Sequence, residues 1–271
     1  MMKPTLFETL AAVLAKDFNN GEVGFTGLLT GKAAAMFGTA IPIVAMELAR
    51  RTRTPDLTLL LAGCYHNPDF SQLDRMPDCE HDALLRDLSA EAQTYDYPGQ
   101  WALKRGDISF GFSSAVQVDV VGNINSVCVG PYEKPKVRLV GPILQPEHMT
   151  LFRREYIMMP HHERRNFVEK VDFISGVGFP GGEKGRRELG LDWGGPALVI
   201  TPKCVFDFDR EIGRIRVKSI HEGISHDELR EATGFDLGNL DKTPITPRPS
   251  DDELRIIRHE IDPRQILFAP L

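Results

Sequence analysis

Cysteine is sparse in this sequence, with only Cys64, Cys79, Cys128 and Cys204 among 271 residues and no Cys-x-x-Cys pair. That spacing argues against a disulfide-stapled scaffold and against a zinc knuckle, so the thiols read as reduced and the compartment as cytoplasmic. No apolar run approaches the ~18 residues of a membrane-spanning helix. The opening stretch carries Glu8 early and closes on Lys16-Asp17 before any small-residue cleavage site, unlike a signal peptide. Positive charge is also short. Lys plus Arg number 32 against 38 Asp plus Glu, a net charge of −6, which disfavours nonspecific nucleic-acid binding and leaves room only for a local basic pocket. His-Glu-x-x-His is missing, because His162-Glu163 is followed by Arg164, Arg165 and Asn166. What is present, 42% hydrophobic and 26% charged residues, suits a globular chain with a large core.

Periodicity predicts a helix over 5–17, a short strand at Gly21–Phe25, a helix over 40–51 and a buried strand over Leu57–Leu61. A further helix is expected over 80–92. The middle of the chain then turns β-rich: Ile108–Phe112, Ala115–Asp119, Ile124–Val129, Lys136–Val140, Val171–Ser175 and Ala197–Thr201. Residues 203–220 read as a hairpin whose turn ends at Gly213. Two capping-box signatures, Ser225-x-x-Glu228 and Ser250-x-x-Glu253, announce closing helices. The mixture predicts an α/β class, a three-layer α/β/α domain with an open mixed sheet over 1–240. Residues 241–271 form a proline-rich connector and a helix packed on the same domain.

Several motifs carry possible chemistry. Ser175-Gly-Val-Gly178-Phe-Pro-Gly-Gly182 contains Gly-x-Gly-x-x-Gly after an expected strand. It reads as a glycine-rich turn or as a loop lining a ligand channel, with Lys184, Arg186 and Arg187 near enough to meet phosphates. The dinucleotide version is disfavoured, since Pro180 removes an amide and the following residues lack an apolar face. Asp119 to Asn125 places Gly122, Asn123 and Asn125 at a β-turn that could also face a site, with Gln117 on the strand before it. Cys64 and His66 follow the Leu57–Leu61 strand, at the end where open α/β sheets hold ligands; packing residues are the plainer reading of both. Asp207 and Asp209 read as caps of the hairpin turn, and the His161–Arg165 cluster as a solvated or ion-paired face.

Taken in order, these segments resemble the B subunit of glutaconate-type, class I CoA-transferases. The resemblance is carried by Gln117-Val-Asp with Gly122-Asn-Ile-Asn125, by His162 to Phe167, and by Val168 to Gly178. Gly194-Gly-Pro196, Val205 to Asp209, Arg214 to Ser219, Thr233-Gly-Phe235 and Glu260 to Pro263 continue it. It implies the open fold shared with sugar-phosphate isomerases, an A-type partner subunit in a heterodimer or heterotetramer, and a shared site for an acyl-CoA. Coenzyme A would enter as part of the substrate, with no bound cofactor, no metal, no nucleic acid and no membrane. In this family a Glu after the buried strand attacks the thioester; the matching position here is Ala62, and no other Glu lies within this strand end. One branch lacking that Glu consists of steroid ring-opening hydrolases, in which the resemblance implies that the A subunit supplies an acid/base Glu. The Val168–Gly178 stretch is more similar to that branch. The implied CoA or substrate contacts are Gln117, Gly122, Asn123, Asn125, Gly141, Ser175, Gly176 and Gly178, with Cys64 and His66 at the pocket.

Overall fold

The computed structural model describes residues 3–29, 32–94 and 106–269. Their contacts cluster into two compact units, one running to Phe112 and resumed from Pro247, the other Ser113–Thr246. This division differs from the expected 1–240 and 241–271.

The first unit opens with helix α1 (Leu6–Ala15), whose Leu10, Ala11 and Leu14 are fully buried. The Thr5 hydroxyl accepts from the Glu8 amide and the Glu8 carboxylate accepts from the Thr5 amide, a reciprocal cap worth about 1 kcal/mol. Strand β1 (Val23–Thr26) leads to a short helix α2 (Lys32–Ala35), a π-turn at Met36–Ala40 and helix α3 (Ile41–Thr52). The π-turn fuses α2 to α3, so Ala33–Thr52 becomes a helix long and apolar enough to cross a membrane by length and composition, contrary to the sequence expectation. Most of that run is buried inside the protein, as in a core helix.

Strand β2 (Thr58–Leu61) lies parallel to β1, with Val23 opposite Thr58 and Thr26 opposite Leu61. Strand β3 (Tyr65–His66) returns antiparallel to β2. The helix expected over 80–92 shrinks to α4 (Ala83–Asp87), because Leu88 turns extended and starts the approach to β4 (Ala92–Gln93), the partner of β3. Strand β5 (Phe110–Ser113) flanks β1 in parallel, giving the order β5-β1-β2-β3-β4. The centre of β1 must be glycine: a Cβ on Gly24 would stand 2.4 Å from the Phe110 ring and 2.6 Å from the Met46 sulfur. Phe110 in turn stacks on Phe18 at 4.4 Å.

The second unit contains β6 (Gln117–Asp119), β7 (Ile124–Asn125), β8 (Cys128–Val129), β9 (Val137–Arg138), α5 (Gln145–Leu151), β10 (Arg154–Met158) and β11 (Phe167–Val168). It continues with α6 (Gly182–Glu188), β12 (Pro196–Ile200), β13 (Cys204–Asp209), β14 (Arg214–Ile220) and α7 (His226–Ala232). Strands β14-β13-β12-β10 form a row, antiparallel across the predicted hairpin and parallel between β12 and β10. A smaller sheet orders β11-β6-β7, and β8 pairs with β9. Ile157, Phe167, Phe179, Val199 and Phe206 fill the core between them.

Residues Val171–Ser175 do not form the expected strand. Side chains and one carbonyl of β6 and β7 take their amides instead: Asp119 from Val171, Gln117 from Asp172 and the Ile124 carbonyl from Ser175. Helix α8 (Asp251–Ile256), capped by the Ser250–Glu253 box, rejoins the first unit, where Arg258 grips the Glu8 carboxylate. The mixed α/β class expected from the sequence is the class observed.

Candidate functional site

In the first unit the parallel strands β1 and β2 end side by side. Ala62 is the first residue beyond β2, and its amide donates to the Thr26 carbonyl at 2.8 Å. Its φ is +53°, followed by +72° at Gly63. A left-handed alanine costs about 1–2 kcal/mol, so the neighbouring hydrogen bonds must hold this elbow in place. Cys64 follows, half-buried; burial first, then the charge of Glu80, pushes its thiol up from the ordinary value. His66 lies in β3 opposite Leu60. No hydrogen bond joins Cys64 to His66 among the described residues, so the structure does not assemble them as a dyad.

Chain order hid one carboxylate. Glu80 lies in the turn before α4, yet its Oε1 accepts the Leu28 amide at 3.3 Å, two residues beyond β1. A Cβ on Gly27 would come within 2.9 Å of the same oxygen, so glycine there leaves room for the carboxylate. The loop leaving β1 therefore has a Glu against it, supplied by a distant segment.

In the second unit the turn between β6 and β7 is a buried polar lattice. Asp119 accepts from the amides of Val121 and Asn123, at 3.1 and 2.9 Å, and from the Asn123 side chain at 3.0 Å. Burial nevertheless dominates and raises its pKa above the usual carboxylate value. Asn123 Oδ1 holds the Gly178 amide at 2.9 Å. Asn125 donates to Gln117 Oε1 and to the Cys128 carbonyl, both at 2.7 Å, while Gln117 Nε2 donates to Asp172 at 3.0 Å. Gln117, Asn123 and Asn125 thus spend these polar atoms on fastening loops.

Ser175 extends the lattice. Its hydroxyl meets Gln145 Oε1 at 2.7 Å and receives the Ser126 amide at 3.1 Å, and Gln145 Nε2 donates to the Ser126 hydroxyl and the Ser114 carbonyl. Gln145 was not singled out by any motif, because its partners come from three separate segments. The glycines nearby differ in what they face. A Cβ on Gly178 would fall 2.1 Å from the Val121 carbonyl oxygen, one on Gly176 2.8 Å from Ile124, and one on Gly122 2.5 Å from Phe208. Those three positions face protein, so a valine at Gly176 or Gly178 would disturb the fold before it tested a channel. Gly141, with φ +101°, opens onto space, next to the exposed Val140 and Ile143.

The basic residues after the glycine-rich loop are already engaged. A short helix, α6, does follow that loop, against the sequence reading. Arg186 is buried and donates to the carbonyls of Val177, Gly178, Met149 and Trp193, and burial pulls its pKa down to about 10. Arg187 and Arg210 pair with Glu183. These side chains, with Arg153 and Trp193, line a cavity of about 310 Å³ at the amino ends of β10 and β12. His162 is not solvated as expected. It is buried between Thr201 and Thr233, at 2.9 and 3.1 Å, and burial lowers its pKa to about 3. Asp209 does cap the hairpin turn, while Asp207 instead pairs with Arg216. Among the described residues no group of three His, Cys, Asp or Glu is placed to hold a metal ion.

Comparison with known proteins agrees with this architecture. Residues 102–232 match the coenzyme A transferase family. The chain is 31% identical to the B subunit of 3-oxoadipate CoA-transferase from Pseudomonas knackmussii, over 93% of its own length and 91% of that protein. It is 30% identical to the cholesterol ring-cleaving hydrolase IpdB subunit of Rhodococcus jostii, over 87% of each. The crystal structure of glutaconate coenzyme A-transferase from Acidaminococcus fermentans superposes with a TM-score of 0.79 over 99% of both chains, at 27% identity. This chain belongs to the coenzyme A transferase family.

Proposed function

We propose that this chain is the B subunit of a two-subunit, cytoplasmic enzyme acting on acyl-CoA thioesters, and that its reaction is hydrolytic opening of a cyclic β-keto acyl-CoA. The observation that carries the reading is Ala62. The elbow after β2 is left-handed at Ala62 and Gly63, and a methyl group stands where a transferase of this family needs a nucleophilic carboxylate. The identity to the Rhodococcus jostii IpdB subunit supports the hydrolytic choice. In this reading an A-type partner contributes an acid/base Glu, and this chain shapes the pocket and contacts coenzyme A. Of the four glycines suggested by the sequence, Gly141 is the one with open space before it; Ser175, Gln117, Asn123 and Asn125 would set the loops that approach the ligand.

The second reading is an acyl-CoA:carboxylate CoA-transferase, favoured by the match to the 3-oxoadipate enzyme over more of the chain. A catalytically silent CoA-binding subunit is the third. Intact-mass spectrometry of the complex after incubation with an acyl-CoA separates the first two. The hydrolytic reading expects no CoA attached to this chain. A stoichiometric adduct on one of its glutamates would establish transfer. Sedimentation tests the partnership: the chain expressed alone should lack activity and gain it with an A-type subunit across an interface above the ~1,600 Å² of a standard complex. A fully active lone monomer would overturn it.

A further inference from the structure

Ala62 brings no carboxylate to the elbow after β2, but one stands close to the chain that leaves β1. From the turn before α4, Glu80 reaches the loop that leaves β1 and is anchored there by the Leu28 amide at 3.3 Å. Three features suit that group for proton transfer. Among the described residues the Leu28 amide is its one hydrogen-bond partner and no cation pairs with it. It is exposed, which leaves it open to water and to a ligand entering beside that loop. Gly27, where a Cβ would crowd Oε1 at 2.9 Å, leaves the carboxylate its place. Its charge, after burial, also helps to push the Cys64 thiol up from its ordinary value.

We propose that Glu80 is a catalytic residue of this chain, acting as the general base for the water that opens the substrate. The assignment rests on the hydrolytic reading above and adds to it a group contributed by this chain. The carboxylate takes one proton from water as the water oxygen bonds to the ring ketone carbon. The bond from that carbon to the α-carbon then breaks, and its electron pair passes to the α-carbon as an enolate of the thioester. The acid/base Glu of the A-type partner, in its protonated form, gives a proton to the α-carbon, and the proton held by Glu80 passes through solvent to reprotonate that group. The products are a carboxylic acid, which ionises by losing its proton to water, and a ring-opened acyl-CoA, with one water consumed and no oxidant or reductant required. A carboxylate that need only move a proton does not require the backbone elbow of a nucleophile, which is consistent with a Glu supplied from a neighbouring turn.

The test uses this chain co-purified with its A-type partner and 2-oxocyclohexane-1-carbonyl-CoA as probe. Ring opening is read by mass spectrometry as uptake of one water. Glu80→Gln should lower kcat about 10²- to 10⁴-fold while KM stays within about threefold. Glu80→Asp should recover part of the loss. In the same Glu80→Gln protein, peptide-resolved alkylation should show Cys64 reacting at lower pH than in the parent, a readout independent of turnover. A Glu80→Gln complex that opens the ring at the parental rate, or an unchanged Cys64 alkylation profile, would overturn the assignment. CoA found covalently on Glu80 would overturn the general-base role in favour of a nucleophile. Transfer of CoA to an added carboxylate by the parent complex would instead overturn the ring-opening reading itself.

Discussion

The Ser175 hydroxyl and Oε1 of Gln145 lie 2.7 Å apart, a buried contact that ties the loop after β7, the start of α5 and the glycine-rich segment to one point. Ser175→Ala would strand Gln145 Oε1 and the Ser126 amide, which also leans on this hydroxyl. Unpaired buried groups cost about 1–3 kcal/mol. The variant should fold and lose about 2 kcal/mol of stability in urea titration. A loss below experimental error would mean that water replaces the hydroxyl.

Two glycines should part company on substitution. Gly178→Ala drives a Cβ into the Val121 carbonyl and should destabilise the chain by more than about 3 kcal/mol, since backbone must move. Gly141→Ala meets no atom and should cost only the strain of its positive φ, about 1–3 kcal/mol. The Gly141 variant is therefore the usable probe of acyl-CoA contact. Its complex should bind acyl-CoA more weakly by calorimetry, and parental affinity would remove Gly141 from the contact surface.

Ala62→Gly should stabilise the protein. The residue sits at φ +53°, where alanine carries about 1–2 kcal/mol of strain and glycine almost none. Part of that gain is offset by the freer unfolded chain, leaving roughly 0.5–1 kcal/mol. Chemical denaturation gives the sign directly. A destabilised variant would show that the methyl group packs.

His162 makes stability depend on pH. Burial depresses its folded pKa to about 3, below the ordinary value near 6.5 of the unfolded chain. The unfolded state therefore binds the proton first. The stability is fully present above pH 6.5 and declines as pH falls from 6.5 towards 3, by up to about 1.4 kcal/mol per pH unit. His221, also lowered by burial, acts in the same direction. His162→Asn should flatten the slope measured by urea titration between pH 6.5 and 4. An unchanged slope would assign the dependence elsewhere.

Local pattern was enough for the elements whose cause is local. The Leu57–Leu61 run made β2, Ser250 and Glu253 capped α8, and alternation across 203–220 made the β13–β14 hairpin. The cap and the hairpin are decided by neighbours a few residues away, and β2 by a short apolar run that finds its parallel partner in β1. The motif order likewise carried the family and its mixed α/β class. The tertiary structure decided what depends on distant partners. The apolar Val171–Ser175 segment looks like a strand, but side chains of β6 and the Ile124 carbonyl claim its amides. His162, in a charged run, is buried because Thr201 and Thr233 close on it. Gln145 belongs to a polar lattice whose other members lie far off in sequence. Glu80 reaches the loop leaving β1 only because the chain returns to it after β3. A hydrogen bond between remote segments leaves no periodicity to read, so a carboxylate distant in sequence stands against the loop leaving β1 in space.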